Sequence, residues 1–299
     1  MRALVLGSAA GGGVPQWNCG CRVCRLAWSG DARVKPRTQA GLALTIDGES
    51  WLLLNASIDL RQQILATPAL HPRGEGRHSP IGAIVLTNAE VDSSAGLLAL
   101  RERQPFDLFA TQATLEAIGA NRMFDAVDHA VAPRRAVAVN ELFEPLPGIH
   151  LELFAIPGKV PLWLEEGHVS TGDIGEGTVC VAVEAAGKRL VFAPACAHVT
   201  EDFNTRIANA DVLFLDGTLF ADDEMIASGL GDKTGQRMGH SPMSGPGGTL
   251  AALARQTRPR RIFIHINNSN PILIEGSPEE ATVKAAGWEI AFDGMEVTP

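Results

Sequence analysis

Short apolar runs alternate with glycine- and asparagine-rich turns and with stretches of helical spacing along the whole chain. The apolar runs predict strands over Arg2–Leu6, Gly41–Ile46, Trp51–Leu54, Ile81–Leu86 and Leu108–Ala110 in the first half. In the second half they predict Leu151–Ile156, Thr178–Glu184, Leu190–Ala193, Val212–Leu215, Arg261–His265 and Trp288–Phe292. Several are β-branched and apolar at consecutive positions, the pattern of strands covered on both faces. Helical spacing predicts helices over Asp59–Ala66, Ser94–Arg103, Thr111–Gly119, Thr200–Ala208, Ser244–Gln256 and Pro278–Ala286. The last starts on Ser277-Pro278-Glu279-Glu280, a capping hydroxyl followed by proline and two acids in the first turn. His71–Pro80 and Gly229–Gly248 read as loops, the second a candidate active-site loop. Hairpins mixed with strand–helix units predict an α/β (α+β) fold with sheets covered by helices. No linker divides the chain, so one domain over residues 1–299 is expected.

Composition narrows the function. The chain is 45% hydrophobic and 20% charged, ordinary for a globular protein that buries a large core. A net charge of −9 without any basic block argues against nucleic-acid binding. No apolar run approaches the ~20 residues of a membrane helix, so no membrane insertion is expected. The N-terminus lacks a secretory pattern, and the clustered thiols suit a reducing compartment, so the expected location is cytoplasmic.

Three of the five cysteines fall within Cys19-Gly20-Cys21-Arg22-Val23-Cys24, just after the glycine-rich turn Gly7-Ser8-Ala9-Ala10-Gly11-Gly12-Gly13. Core packing does not ask for such crowding, and three neighbouring thiols cannot all pair as disulfides. A tetrahedral zinc asks for soft ligands held this close, so Cys19, Cys21 and Cys24 predict a structural Zn2+ whose fourth ligand comes from elsewhere in the chain. Cys180 and Cys196 lie in apolar runs and read as core residues.

Four strand ends carry polar groups that plain turns do not require: Thr87–Gly96 with Asp92, Asp216-Gly217-Thr218, Met238-Gly239-His240 and His265-Ile266-Asn267-Asn268. Each has a local explanation. Asp92 can cap a helix, Asp216 can shape a turn, His240 can be a solvated loop residue, and His265 can be a satisfied buried histidine. His71, His78, His129, His150, His168 and His198 show no partner pattern and read as surface or structural residues.

Taken together and in order, these segments resemble the metallo-β-lactamase superfamily and, within it, the coenzyme PQQ synthesis B family. The resemblance covers essentially the whole chain. Further residues that carry it are Pro15-Gln16-Trp17-Asn18-Cys19, Asn55-Ala56-Ser57, Pro157-Gly158-Lys159-Val160-Pro161, Asp216-Gly217-Thr218-Leu219 and Pro242-Met243-Ser244-Gly245. The resemblance implies a metallo-β-lactamase-like αβ/βα sandwich, two mixed sheets flanked by helices, with a zinc knuckle over Trp17–Arg25. It also implies a part in making pyrroloquinoline quinone (PQQ) from a glutamate and a tyrosine of a precursor peptide.

The sequence departs from the hydrolytic relatives at the metal motif. Where those carry His-x-His-x-Asp-His, this chain has Asn88-x-Glu90-x-Asp92-Ser93. The remaining set, Asp92, Asp216, His240 and His265, suits one non-haem Fe2+ rather than two zinc ions, with Glu90 as an extra donor. His265 is claimed by two sites. It can complete the iron set, or it can be the fourth ligand of the knuckle zinc; the position that caps that zinc in related phosphodiesterases is here Asn268. The resemblance implies either an iron-dependent oxygenase that hydroxylates a tyrosine-derived intermediate, or a carrier of PQQ or its precursor towards the periplasm. A zinc hydrolase ranks last. Lys159 and Arg237 are candidate contacts for an anionic substrate; PQQ or its precursor is the expected bound partner, with a homodimer as the candidate self-association.

Overall fold

A computed structural model describes residues 1–165 and 170–299. Among them the chain forms β1 (Arg2–Gly7), β2 (Gly41–Thr45), β3 (Trp51–Leu54), β4 (Ile81–Val85), β5 (Asp107–Ala110) and β6 (Arg134–Ala136). A second run follows: β7 (Leu142–Leu146), β8 (Ile149–Gly158), β9 (Asp173–Ala185), β10 (Lys188–Ala193), β11 (Val212–Asp216), β12 (Arg260–Ile264) and β13 (Trp288–Ile290). The chain closes on β14 (Glu296–Val297), which returns to the first sheet. Two seven-stranded mixed sheets result, ordered β14-β1-β2-β3-β4-β5-β6 and β13-β12-β11-β10-β9-β8-β7. In each, antiparallel hairpins lead into a parallel run, β3 to β6 in one and β10 to β13 in the other.

Alternation along the strands divides their side chains between three apolar layers. Leu42, Leu44, Leu52, Leu54 and Val85 of the first sheet face Leu151, Leu153, Val181, Val183, Phe192, Phe214 and Ile264 of the second. The opposite faces are covered by helices. Leu53, Ile84 and Leu108 lie under Leu60 of α2 (Leu60–Ala66) and Leu115 and Ile118 of α4 (Gln112–Gly119). Val191, Leu213, Leu215 and Phe263 lie under Phe203 and Ile207 of α5 (Glu201–Ile207) and Val283 of α8 (Pro278–Ala285). This is the expected αβ/βα sandwich. Because both sheet faces are buried, the strands read as continuous apolar runs. No helix among the described residues is long and apolar enough to cross a membrane.

Several elements differ from the expectation for identifiable reasons. The predicted helix Ser94–Arg103 is instead α3 (Val91–Ser94) followed by a tighter turn over Ala95–Leu100. Gly96 is the cause: a Cβ there would stand 2.0 Å from the Ser57 carbonyl, and its N–H donates to Ala56 O at 2.8 Å. The segment is drawn against the end of β3 and cannot continue as a regular helix. The predicted helix Ser244–Gln256 shrinks to α7 (Thr249–Ala252), because Gly245-Pro246-Gly247-Gly248 forms a turn, with Gly245 at φ +87°. The short strands β6, β7 and β14 and the helices α1 (Arg22–Trp28) and α6 (Glu224–Ala227) escape the pattern because each is too short or too polar to show a period. His168 lies outside the described residues.

Candidate metal centre and cavity

The parallel strands bring three of the four polar segments to one place, and the fourth, with His240, expected at a strand end, arrives on a loop. Asp92 stands in α3, on the turn that follows β4 of the first sheet. Asp216 ends β11 and His265 directly follows β12, both in the second sheet. The two sheets are stitched together here: Ala9 bridges to Ile266 and to Gln39, and Ala10 N donates to Ile266 O at 2.9 Å. His265 has φ +57°, an uncommon backbone state for a residue with a side chain, and it turns the ring from the strand line towards the junction. His240 is delivered by the Gly229–Gly248 loop through Gly239, whose φ of +87° a side chain would resist.

There Asp216 Oδ2 lies 2.7 Å from His240 Nδ1, and Asp92 Oδ2 lies 2.9 Å from His265 Nε2. The two imidazoles stack with centroids 5.2 Å apart. Donor atoms of Asp216, His240 and His265 all lie within 4.8 Å of one another. At the centre is Thr218, which has no signal of its own in the sequence beyond its place after Asp216-Gly217. Its hydroxyl lies 2.7 Å from Asp216 Oδ1, 2.9 Å from His265 Nδ1, 3.1 Å from His240 Nδ1 and 3.0 Å from the His265 carbonyl. Asp216 Oδ1 and the His265 carbonyl can only accept, and the one hydroxyl proton cannot serve both. Among the described residues, the ion-pair partners of Asp92 and Asp216 are imidazoles, with no lysine or arginine. Burial opposes ionisation of Asp92, yet the hydrogen bond and charge of His265 hold it below the usual carboxylate range. Burial likewise opposes a charged His265, and Asp92, followed by Asp216 and Glu90, outweighs it and raises its affinity for a proton. Such an acceptor-rich, paired site is one a cation fits.

None of these residues is accounted for by its local role alone. Asp216 does shape its turn, accepting Thr218 N at 3.0 Å through one oxygen, but its second oxygen serves His240 and Cys196 N. Asp92 points to His265 rather than capping a helix, and His240 is pinned rather than solvated. Glu90 turns away from the cluster, accepting from Lys159 Nζ at 2.8 Å. Ser93 is buried and accepts from Asn55 Nδ2 at 3.3 Å.

The cluster lies in the wall of a cavity of about 560 Å³, also bounded by Asn88, Lys159, Leu162, Trp163, Glu165 and Lys233. Of the two cationic residues expected near it, Lys159 is present but already paired with Glu90 and Glu165 at 2.8 and 3.0 Å. Arg237 is not part of the wall, and Lys233 from the same loop is. Trp163, Glu165 and Lys233 carried no sequence signal.

The three clustered thiols form a separate group. Cys21 caps α1, its sulfur accepting from Cys24 N, while Cys19 accepts from Cys21 N and Cys24 from Gln16 N, each at 3.4 Å. Their sulfurs lie within 4.8 Å of one another. Burial pushes the Cys21 thiol up to about 12; for Cys19 burial is outweighed by hydrogen bonds from Cys21, Cys24 and Asn268, which lower it. Only a cation would let all three ionise together, which is what a zinc knuckle requires. Asn268 closes the group: its Nδ2 lies 3.1, 3.8 and 3.3 Å from the sulfurs of Cys19, Cys21 and Cys24, and its carbonyl 3.4 Å from Cys21 Sγ. His265 instead stands with Asp92 and Thr218 in the cavity wall. Cys180 and Cys196 are buried with strongly raised thiols, as core residues are.

Residues 50–266 match the family described as the beta-lactamase superfamily domain. Over 295 residues the chain is 58% identical to coenzyme PQQ synthesis protein B of Methylobacterium nodulans, covering 99% of both chains. It is 50% identical to the protein of that name from Rhizobium meliloti, over 99% of this chain and 97% of the other. This chain belongs to the coenzyme PQQ synthesis protein B family. With that family it takes part in PQQ synthesis. The crystal structure of Zn(2+)-bound PqqB from Methylobacterium extorquens superposes with a TM-score of 0.98 at 55% identity, each chain fully covered. A diphosphatase of the PhnP family superposes with a TM-score of 0.68 at 20% identity, covering 100% of this chain and 97% of the other, a likeness of fold alone.

Proposed function

We propose that the chain catalyses an oxidative step of PQQ synthesis, hydroxylating a tyrosine-derived intermediate at a single iron held by Asp216, His240 and His265. The observation that carries this reading is the convergence of those donor atoms within 4.8 Å in the wall of the cavity. Two imidazoles and one carboxylate are the donor set of a non-haem iron(II) site with open positions. When bound, that iron supplies the redox chemistry that activates dioxygen. The chain's own residues then have defined tasks. Asp92 orients the His265 ring through Nε2, which leaves Nδ1 as the nitrogen facing Asp216 and His240, and Thr218 holds the Asp216 carboxylate through Oδ1. Leu162, Trp163 and Met225 give the cavity an apolar side. We assign a structural zinc to Cys19, Cys21 and Cys24, with Asn268 as its fourth neighbour; the Zn2+ bound by the Methylobacterium extorquens protein supports a zinc in this family. Two-zinc hydrolysis would need more nitrogen donors than this cluster offers.

A second reading is a non-catalytic carrier of PQQ or its precursor. Ser93 favours it: its hydroxyl is taken by Asn55, so the turn contributes Asp92 alone where hydrolytic relatives contribute several imidazoles. Metal content separates the two readings. After anaerobic purification and iron reconstitution, the oxygenase should hold one zinc and one iron, with the iron lost in His240→Ala. One zinc and no iron in either protein would overturn it in favour of the carrier.

A further inference from the structure

Glu90 is expected from sequence to add a donor to the metal set, and its geometry gives it a different task. It stands at the N-cap of α3, two positions before Asp92, yet its side chain caps nothing in that helix. Its carboxylate reaches instead to the segment 158–165, which links the end of β8 to the cavity mouth. Oε1 accepts from Lys159 Nζ at 2.8 Å and from Leu162 N at 3.1 Å, and Oε2 lies 3.2 Å from the same N–H. The residue before it takes part as well: Ala89 O accepts the Trp163 indole N–H at 3.3 Å. Lys159 then passes the contact on to Glu165 at 3.0 Å, and Glu165 to Lys233 at 3.5 Å.

Apolar packing does not explain why this segment lies where it does. Leu162 is 62% exposed, Trp163 37% and Leu164 42%, and none of them joins the three buried layers. A short turn with its apolar side chains half in solvent has little burial to hold it, so its polar ties decide its position. The Lys159 carbonyl accepts from Thr178 Oγ1 at 3.3 Å, and the ties of the Lys159 ammonium, Leu162 and Trp163 converge on Ala89 and Glu90, on the turn that presents Asp92. Glu90 Oε1 is also already shared by two donors, one of them an ammonium, which leaves it poorly placed to serve a metal ion as well.

We infer that Glu90 is a positioning residue: it clasps segment 158–165 and so fixes Lys159, Leu162, Trp163 and Glu165 as one wall of the cavity. This rests on the cavity being the binding site proposed above. It adds that the wall is set by an ion-pair chain, Glu90–Lys159–Glu165–Lys233, anchored to the turn that carries Asp92. The Lys159 ammonium is fully taken by Glu90, Glu165 and the Val160 carbonyl, so an anionic group entering the cavity meets it by displacing one of these, and ligand binding is linked to the hold on this wall.

The test compares the full chain with Glu90→Gln, each measured with and without Trp163→Phe so that the Trp163 emission is obtained by difference. Acrylamide quenching of Trp163 should rise about twofold in Glu90→Gln, as expected when a tie holding an exposed turn is cut. The metal content of the cavity should stay at the wild-type level. Glu165→Gln, which cuts the chain at its other end, should raise quenching in the same direction and serves if Glu90→Gln fails to fold. Unchanged quenching in both variants would overturn the inference. Loss of cavity metal in Glu90→Gln would overturn it too, by making Glu90 a donor. If neither protein takes up a cavity metal, the oxygenase reading fails while the quenching comparison still decides the clasp.

Discussion

His265 Nε2 lies 2.9 Å from Asp92 Oδ2, a contact between residues 173 positions apart that joins the polar ends of the two sheets. Asp92 comes from the first sheet and His265 from the second, so the bond forms only when both sheets have docked. It fixes the ring of one proposed metal donor from the opposite half of the sandwich.

Asp92→Asn tests that coupling because it removes the charge and keeps the size. The metal-free protein should lose about 1–3 kcal/mol of stability from a weakened buried partner. Metal affinity in the cavity should fall about tenfold to a hundredfold, the usual effect of removing the group that orients a metal-binding histidine. Denaturant unfolding and metal titration measure the two effects separately.

The thiol group should behave as an independent site. Cys24→Ser should lower zinc content by one equivalent per chain and leave the cavity metal in place. Asn268→Ala should keep zinc at first but release it faster to a chelator. Elemental analysis and a chromogenic chelator assay read both. Simultaneous loss of zinc and cavity metal in Cys24→Ser would show that the sites are not separable.

Gly96→Ala should destabilise by about 1–3 kcal/mol, because the added methyl meets the Ser57 carbonyl at 2.0 Å and the backbone must move to accommodate it. The displaced segment adjoins α3, so Asp92 should shift with it. A lowered urea midpoint with an unchanged slope, together with weaker cavity metal binding, is the expected result.

Glu224 predicts a pH dependence. It is buried, and its carboxylate accepts from Ser269 Oγ at 2.5 Å and from Phe220 N at 2.8 Å. Burial raises its proton affinity from the ordinary 4.5 to about 7. Between those values the folded chain keeps the proton and the unfolded chain does not. Stability from this group is therefore complete below pH 4.5, falls as pH rises to about 7, and is flat above, with a full change of at most about 3 kcal/mol. Glu224→Gln should flatten that slope, which unfolding curves recorded across this range would reveal.

Much of the architecture was legible before folding was considered. Trp51–Leu54 and Val212–Leu215 read as covered strands because burial on both faces leaves no polar alternation to confuse the pattern. Ser277-Pro278-Glu279 marked the start of α8 because capping chemistry is local: Ser277 Oγ accepts from Glu280 N at 3.1 Å. The long ends of β8 and β9 were not legible, since Pro157, Gly158 and Asp173 suggest a turn and pair only because their neighbours hold them in register. Thr218 and Trp163 were equally silent, because a hydroxyl or an indole says nothing of its role until its partners are known.

The sequence by itself determined the strands, the class of fold, the crowding of Cys19, Cys21 and Cys24, and the family, because each is written in near neighbours or in ordered motifs. Only the tertiary structure decided that His265 stands with Asp92 and Thr218 while Asn268 stands among the thiols. It alone turned Glu90 away from the donor cluster and towards Lys159. Those assignments depend on distances between residues far apart in the chain, and such distances exist only after two sheets have packed face to face.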